Sequence, residues 1–481
     1  MKNNMIIIKI ELKTFFLFIY YIMNLVWFKT TDLRLRDHEA LKKAFKKKCK
    51  VILVFCLDPL FFEEIKSSSG IKQIKFDKFK EKFLYQSLID LHSKIKSYDG
   101  YLNIYFDSPE NIIPDLVKKY EVDCIYHLED TTSEELKQLE NIKKKLPEDT
   151  KIKSYWGNTL FHIDDLPFKV EKTPDVFTFF RKSLYSCKTR EELNLNLKKL
   201  NKTINDVDNI EEVQNKDSKI KCNVAFEGGE TKAWERLNYY FYKKKLLSVY
   251  KKTRNGLLGD DYSSKFSPYL AFGNISSKSI QHEIDNYEKT IEKNDSTYWM
   301  FFELLWRDFF RFSSLKFKDR IFYLTGIKNK KKEWKENNDE TIELFNKWKD
   351  GKTGYPYIDA NMLELKKTGF MSNRGRQMVA SFLIKDLKID WRWGAEYFES
   401  MLIDHDVASN YGNWNYAAGI GADPREDRYF NVYKQAYTYD RNCNFILKWI
   451  PELKNEKKDD IINVNNLKYL QPIVFVKKFK Y

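Results

Sequence analysis

The sequence has no CxxC pair, and spacing alone groups none of its cysteines and histidines into a four-ligand site. Its six cysteines (Cys49, Cys56, Cys124, Cys187, Cys222, Cys443) are scattered. A disulfide framework and a zinc site are therefore excluded, and the thiols read as reduced thiols of an intracellular protein. No GxGxxG follows the first apolar run, so the standard dinucleotide fingerprint is missing. No apolar run reaches membrane-spanning length. The most apolar stretch, "MKNNMIIIKIELKTFFLFIYYIM", is broken by Lys9, Glu11 and Lys13. What remains, Phe15 to Met23, is too short for a span. It has no small-residue cleavage site either. Residues 1–22 read as a non-essential extension with a misassigned start, because Met23 directly precedes a convincing strand. An organelle-targeting segment is the alternative. The expected location is cytoplasmic, or mitochondrion or plastid if residues 1–22 target the chain.

Aromatic residues are abundant, with 36 Phe, 30 Tyr and 11 Trp, which excludes a disordered chain. Basic residues number 84 against 69 acidic, a net charge of +15. A polyanionic partner follows from that excess, because each phosphate contact releases counterions. A lysine-rich genome is the bland alternative.

Short apolar runs alternate with helical stretches up to about residue 128. "NLVWF" (24–28), "VILVFCL" (51–57), "LNIYF" (102–106) and "CIYHL" (124–128) read as buried parallel strands. Residues 38–48 and 76–95 read as crossover helices. The pattern predicts a doubly wound α/β domain over 23–155. Residues 156–224 read as a connector, polar and Lys/Asn-rich from about Thr189 to Lys221. From 225 to 455 strand signals fade and amphipathic helices dominate, for example Thr231–Tyr250, Ser277–Tyr287 and Thr297–Phe312. The second domain is predicted to be all-α. Residues 456–481 are charged and Asn-rich and read as a peripheral tail.

Several stretches carry chemistry. "FFELLWRDFFRF" (301–312) puts Glu303, Trp306 and Arg307 on one helix face. An ordinary Glu–Arg pair beside a core tryptophan is the alternative. In 350–394, Gly354-Tyr355-Pro356 reads as a turn entering a helix, with Asp359 in its first turns. Asn373, Arg374 and Arg376 cluster near a helix start, where cations and backbone donors can meet phosphates. Trp391 reads as the end of an apolar helix. "LIDHDVASNYGNWNYAAGIG" (402–421) has much hydrogen-bonding capacity and little acid–base machinery. It has no Ser-His-Asp order and no cysteine nucleophile.

Together these stretches resemble the photolyase/cryptochrome family, and within it the cryptochrome DASH branch. The resemblance rests on "LVWFKTTDLRLRDHEAL" (25–41), "TGYPYIDANM", "GFMSNRGRQMVASFLIKDL", "NYGNWNYAAGIGADPREDRYFN" and "KQAYTYD", and runs from about Asn24 to Tyr439. The linker "PDVFTFFRK" (174–182) and the segment "GADPREDRYFNVYKQAYTYD" are DASH-like. The resemblance implies a buried FAD, with the hard chemistry carried by the flavin. It assigns FAD contacts to Tyr250, Ser263, Ser264, Lys265, Phe266, Ser267, Glu303, Arg307, Asn373, Arg376, Asp404, Asp406 and Asn410. Asp404 is expected near the ring edge, paired to Arg376, and Asn410 opposite flavin N5. His405 is expected to be structural, with no metal site. Lys265 stands where relatives commonly carry arginine, keeping charge and losing bidentate geometry.

The resemblance further implies an electron-transfer chain of Trp414, Trp391 and, as outer member, Trp334. Glu303 and Asn373 would hydrogen-bond a flipped pyrimidine dimer, and Trp306 would stack on it. Tyr416 and Gln377 replace the tryptophan and methionine of duplex photolyases, the DASH pattern, which implies a preference for single strands. The expected activity is blue-light-driven repair of cyclobutane pyrimidine dimers, as a deoxyribodipyrimidine photo-lyase. The alternative is a cryptochrome photoreceptor that binds DNA or RNA without repair. The expected partner is single-stranded DNA, with RNA as a second polyanion, no membrane and a monomeric state. The antenna implied is methenyltetrahydrofolate, with Glu129, Asp130 and Phe179 as contacts. Glu129 and Asp130 compete for the pterin.

Overall fold

The computed structural model describes residues 22–479, except 46–48, 68, 223–225, 426–427 and 466. Residues 1–21, the bulk of the expected N-terminal extension, lie outside the described residues. No helix among the described residues is long and apolar enough to cross a membrane.

The first domain is a five-stranded parallel sheet in the order β5-β2-β1-β6-β7. Its strands are β1 (Ile22–Phe28), β2 (Cys49–Cys56), β5 (Asn103–Tyr105), β6 (Cys124–Leu128) and β7 (Lys151–Tyr155). A separate antiparallel hairpin joins β3 (Glu64–Lys66) to β4 (Lys72–Ile74). The crossover helices include α1 (Glu39–Ala44), α2 (Lys78–Lys96), α3 (Pro109–Tyr120) and α4 (Ser133–Lys143). The central strands are mostly apolar because helices cover both faces. β7, "KIKSY", and the hairpin carry lysines and exposed positions, so their sequences lack the buried-run signal.

The connector is packed, not free. Thr203 bridges Val51 at the sheet, Asn103 accepts from the Asp206 and Val207 amides, and Leu200 and Val213 are buried. It includes helix α5 (Phe177–Ser183) and helix α6 (Ile210–Lys219).

The second domain is helical. Its main helices are α7 (Glu230–Asn238), α8 (Ser277–Thr290), α9 (Asp295–Phe317), α10 (Asp339–Lys349), α11 (Pro356–Thr368), α12 (Asn373–Ser381), α13 (Trp391–Met401), α14 (Val407–Ala418) and α15 (Val432–Tyr439). Three sequence expectations are corrected here. The helix expected over Thr231–Tyr250 is α only to Asn238 and ends at Lys244. Its last turn, Tyr239–Lys243, is a π-turn, and left-handed Lys245 comes after it. The widened turn lets consecutive Tyr240 and Phe241 both face the core, where each meets Phe266. Trp391 begins a helix instead of ending one. The preceding helix closes in a π-turn at Phe382–Asp386, and Asp390 caps the new one.

The third correction is the tail, which is not peripheral. Ile461, Ile462 and Val476 are buried. Tyr355 Oη donates to the Val474 carbonyl at 2.6 Å and accepts from the Val476 amide at 3.1 Å. Tyr469 Oη donates to Asp359 at 2.9 Å. A Cβ on Gly354, which has φ 79°, would lie 2.5 Å from the Gln471 and Pro472 backbone. The tail thus straps over the turn that starts α11.

Candidate functional site

Two contiguous cavities lie in the helical domain, of about 290 and 590 Å³. They share Arg254, Glu303, Trp306, Phe310, Asn373, Arg376, Asp404, Asp406, Ser409 and Asn413. Volumes of this order suit an organic cofactor with a substrate beside it.

The smaller cavity receives Tyr250, Ser263, Ser264, Lys265, Phe266, Ser267 and Arg307. Arg236, on α7, donates to the carbonyls of Asp260, Ser263 and Ser264 at 2.7, 3.0 and 2.9 Å. That grip turns the loop's carbonyls away and leaves its hydroxyls, amides and one ammonium for an anion. Lys265 adopts a left-handed φ of 59° and lies 3.4 Å from the Tyr262 ring centre and 4.6 Å from that of Phe370. Burial pulls its pKa down to about 7. A phosphate would restore its charge.

Asp404 ends the turn before α14. Arg376 donates to its Oδ2 at 2.8 Å, and its Oδ1 is buried without a hydrogen-bond partner among the described residues. Arg376 also donates to the Met371 carbonyl at 2.9 Å. Asp406 caps α14 by accepting from the Ser409 amide at 2.9 Å. Arg311 pairs with Asp406, and Arg307 stands 3.9 Å away. Burial works against the Asp406 carboxylate, but the two arginines hold its pKa well below the usual range. Arg307 itself serves mostly backbone, donating to the Asn158 and Leu270 carbonyls. Burial and Arg311 lower it to about 9. Burial also pushes His405 well below its ordinary value, and neither ring nitrogen has a hydrogen-bond partner among the described residues.

The larger cavity receives Asn410, Trp414, Tyr416 and Gln377 beside the shared Glu303, Trp306 and Asn373. The Asn410 amide donates to the Ala395 carbonyl at 2.9 Å. Glu303 does not pair with Arg307 one turn along. It faces Arg254 at 2.6 Å, and burial raises its pKa. Trp306 lies flat on Phe177, ring centres 3.7 Å apart and planes 8° from parallel. One of its faces is therefore taken by the linker helix α5. Its edge meets Tyr416 at 6.3 Å. Gln377 accepts from Arg374 at 2.9 Å. Arg428 covers the Tyr416 ring at 5.1 Å and is held by buried Asp423 at 2.6 Å.

Trp414 and Trp391 are both buried. A Cβ at Gly394 would lie 2.2 Å from Trp414 Cη2, so α13 approaches that ring closely only because residue 394 is glycine. Trp391 sits one turn earlier on the same helix. Trp334 is half-buried in the same core, and the Lys335 amide donates to the Lys388 carbonyl at 2.8 Å, just before α13. That bond sets the Trp334 loop against the start of the Trp391 helix.

A third cavity, of about 310 Å³, opens at the carboxyl ends of the sheet strands and reaches the helical domain. Asp130 lines it and pairs with Lys29, with both side chains buried. Glu129 and Phe179 do not line it. Glu129 is half-buried and burial raises its pKa, while Phe179 is 64% exposed. The three expected antenna residues are not brought into one cavity.

Sequence reasoning missed Arg236, Arg254, Arg311, Phe177 and Phe370. Arg311 had a signal, since it follows Arg307 by four residues on one helix. Arg254 and Arg236 stand in no motif, and only the fold brings them in.

A parallel sheet domain joined to a helical domain with a lined, two-part cavity defines a protein that buries a large cofactor beside a substrate pocket. The comparisons say which. Residues 24–197 match the family model for DNA photolyase, and 299–478 match the FAD-binding domain of DNA photolyase. Cryptochrome DASH, chloroplastic/mitochondrial, of Arabidopsis thaliana is 42% identical over 464 residues, 95% of this chain and 80% of the relative. Cryptochrome DASH of Gloeobacter violaceus is 45% identical over 439 residues, 89% of this chain and 85% of the relative. The crystal structure of a Synechocystis cryptochrome aligns with TM-score 0.86 at 41% identity, covering 95% of this chain and 97% of that one. The chain belongs to the cryptochrome DASH branch of the photolyase/cryptochrome family.

FAD is the cofactor of this domain, and the residues present fit it. The loop around Lys265 offers phosphate donors inside the smaller cavity, and the orphaned Asp404 Oδ1 offers a buried acceptor.

Proposed function

We propose that this chain repairs cyclobutane pyrimidine dimers in single-stranded DNA under blue light. The observation that carries the proposal is the larger cavity. It adjoins the FAD cavity through shared walls, and it collects Glu303, Asn373, Trp306, Gln377 and Tyr416. When bound and reduced, FAD supplies under light the electron that opens the dimer.

The chain's own residues bind and orient. Ser263, Ser264, Lys265 and Ser267 hold the cofactor phosphates, with Phe266 and Tyr250 packing beside them. Arg307, Arg376, Asp404 and Asp406 form the charged floor. Asn410 would hold the cofactor with a neutral amide, which is a poor proton donor. Glu303, its pKa raised, hydrogen-bonds the flipped bases together with Asn373. Trp306 presents its open side to them. Arg254, Arg425 and Arg428 supply cations to the strand's phosphates at the cavity wall. Trp414, Trp391 and Trp334 carry electrons inward when the cofactor needs reducing.

Substrate choice follows from cost. Extruding a dimer from duplex costs a few kcal/mol, and less is needed from a single strand. The polar Gln377 and the Arg428-covered Tyr416 give back little of that cost. Illuminated, reduced protein is expected to split a dimer in a single-stranded oligonucleotide far faster than in a matched duplex. Equal rates at one salt concentration would overturn the single-strand assignment.

For the antenna we propose methenyltetrahydrofolate read by Glu129. Asp130 is committed to Lys29, whereas Glu129 makes no ion pair within 4 Å among the described residues. Purified protein should show a near-ultraviolet folate band that Glu129→Gln loses. A band unchanged in that variant would remove Glu129 from the site.

A further inference from the structure

Buried Tyr411 lies beside the tryptophan chain but belongs to none of the roles above. It stands on α14 between Trp391 and Glu399. Its ring centre is 6.2 Å from that of Trp391, with the planes at 83°. Its hydroxyl donates to Glu399 Oε2 at 3.0 Å. Phe322 packs edge-on against it at 4.6 Å. Trp391 Nε1 donates to the Leu324 carbonyl at 3.2 Å. A carbonyl is no base, so an oxidised Trp391 keeps its proton and remains a cation. Tyr411 differs, because its proton already points at a carboxylate within transfer distance.

We propose that Tyr411 and Glu399 form a proton-coupled side branch of the electron-transfer chain. This rests on the chain through Trp414 and Trp391 proposed above. The step balances. One electron passes from Tyr411 to the Trp391 radical cation, restoring neutral Trp391. The phenolic proton passes to Glu399. Tyr411 becomes a neutral radical and Glu399 a neutral carboxylic acid. Return of the electron must then also bring the proton back from Glu399, so it is slowed.

Glu399 is suited to take the proton. His405 Nε2 lies 3.9 Å from it, and it lines the strand-end cavity with Lys75, Lys80 and Glu134. Lys80 Nζ donates to the Glu399 carbonyl at 3.1 Å. Lys75 pairs with Glu134, whose side chain is 66% exposed, so the proton has a polar way out. Burial, then the Glu399 and Glu396 carboxylates, keep the phenol protonated at rest.

The test uses FAD-loaded protein, with electron paramagnetic resonance after a light flash as the readout. Trp334→Phe is expected to retain photoreduction and to give a radical signal that narrows with ring-deuterated tyrosine. Adding Tyr411→Phe should lose both. Adding Glu399→Gln, which keeps the shape but not the base, should slow radical formation by about 100-fold. A signal from tryptophan alone in Trp334→Phe, or no change on adding Tyr411→Phe, would overturn the branch. Trp414→Phe separates the two levels. If it photoreduces normally, the underlying chain is wrong and the branch falls with it. If it is blocked while Tyr411→Phe is silent, the branch alone is wrong.

Discussion

Replacing Asp404 with alanine tests the floor of the cavity proposed to hold FAD. The Asp404 side chain is 1% exposed and that of Arg376 is 25%. Removing the carboxylate leaves a largely buried guanidinium without its counter-charge. A fully buried pair broken this way costs ~3–5 kcal/mol. Arg376 reaches some solvent and keeps its bond to the Met371 carbonyl, so the cost here is about 2 kcal/mol. That corresponds to a fall of roughly 4 °C in the melting midpoint of the cofactor-free helical domain. A second loss falls on binding. Asp404 Oδ1, buried and without a partner among the described residues, would be the acceptor for a cofactor donor. Losing that bond costs about 1.4 kcal/mol, or roughly tenfold in FAD affinity. Thermal unfolding of apoprotein and FAD titration measure the two effects separately. Asp404→Asn should recover part of the first. Unchanged midpoint and affinity in Asp404→Ala would refute the reasoning.

Other consequences follow from the same geometry. Gly394→Ala should drive Trp414 from its seat at a cost of ~1–3 kcal/mol, seen as lost stability and altered near-ultraviolet circular dichroism. An unaltered spectrum would show that the helix yields instead. Trp414→Phe should keep FAD bound and lose its photoreduction, while chemically pre-reduced protein still repairs. Lys265 gives a pH signature. Its folded pKa is depressed to about 7, so above that value the unfolded chain binds a proton that the folded apoprotein does not. Its effect on apoprotein stability therefore grows more favourable as pH rises from about 7 towards the ordinary lysine value. A bound phosphate recharges it, so FAD binding takes up a proton above about pH 7 and weakens as pH rises. Calorimetry in two buffers of different ionisation enthalpy measures that uptake, and Lys265→Met should remove it.

Much of this architecture can be read from residue patterns. The apolar runs at 24–28, 51–57 and 124–128 are central strands, whose burial on both faces writes an unmistakable pattern. β7 and the β3–β4 hairpin escape because edge and exposed strands carry lysines. The change after Asn238 escapes because a π-turn keeps a helical pattern while shifting its phase. The tail escapes because its anchors, Tyr469 and Val476, are isolated residues in a charged segment. The Asp404–Arg376 pairing, inside a dense motif, is legible, since the motif carries neighbours. Arg254 is not. It meets Glu303 from far along the chain, and nothing local marks it. Phe177 likewise reveals itself only where the linker helix folds onto Trp306.

The most direct measurement follows a single-stranded oligonucleotide carrying one cyclobutane dimer, with flavin reduced beforehand, in light and in darkness. Wild-type protein should restore the two pyrimidines only in light. Glu303→Ala should slow that step while leaving salt-sensitive binding to undamaged strands intact. No splitting in light, with reduced flavin confirmed by its spectrum, would contradict repair and favour a light-sensing role.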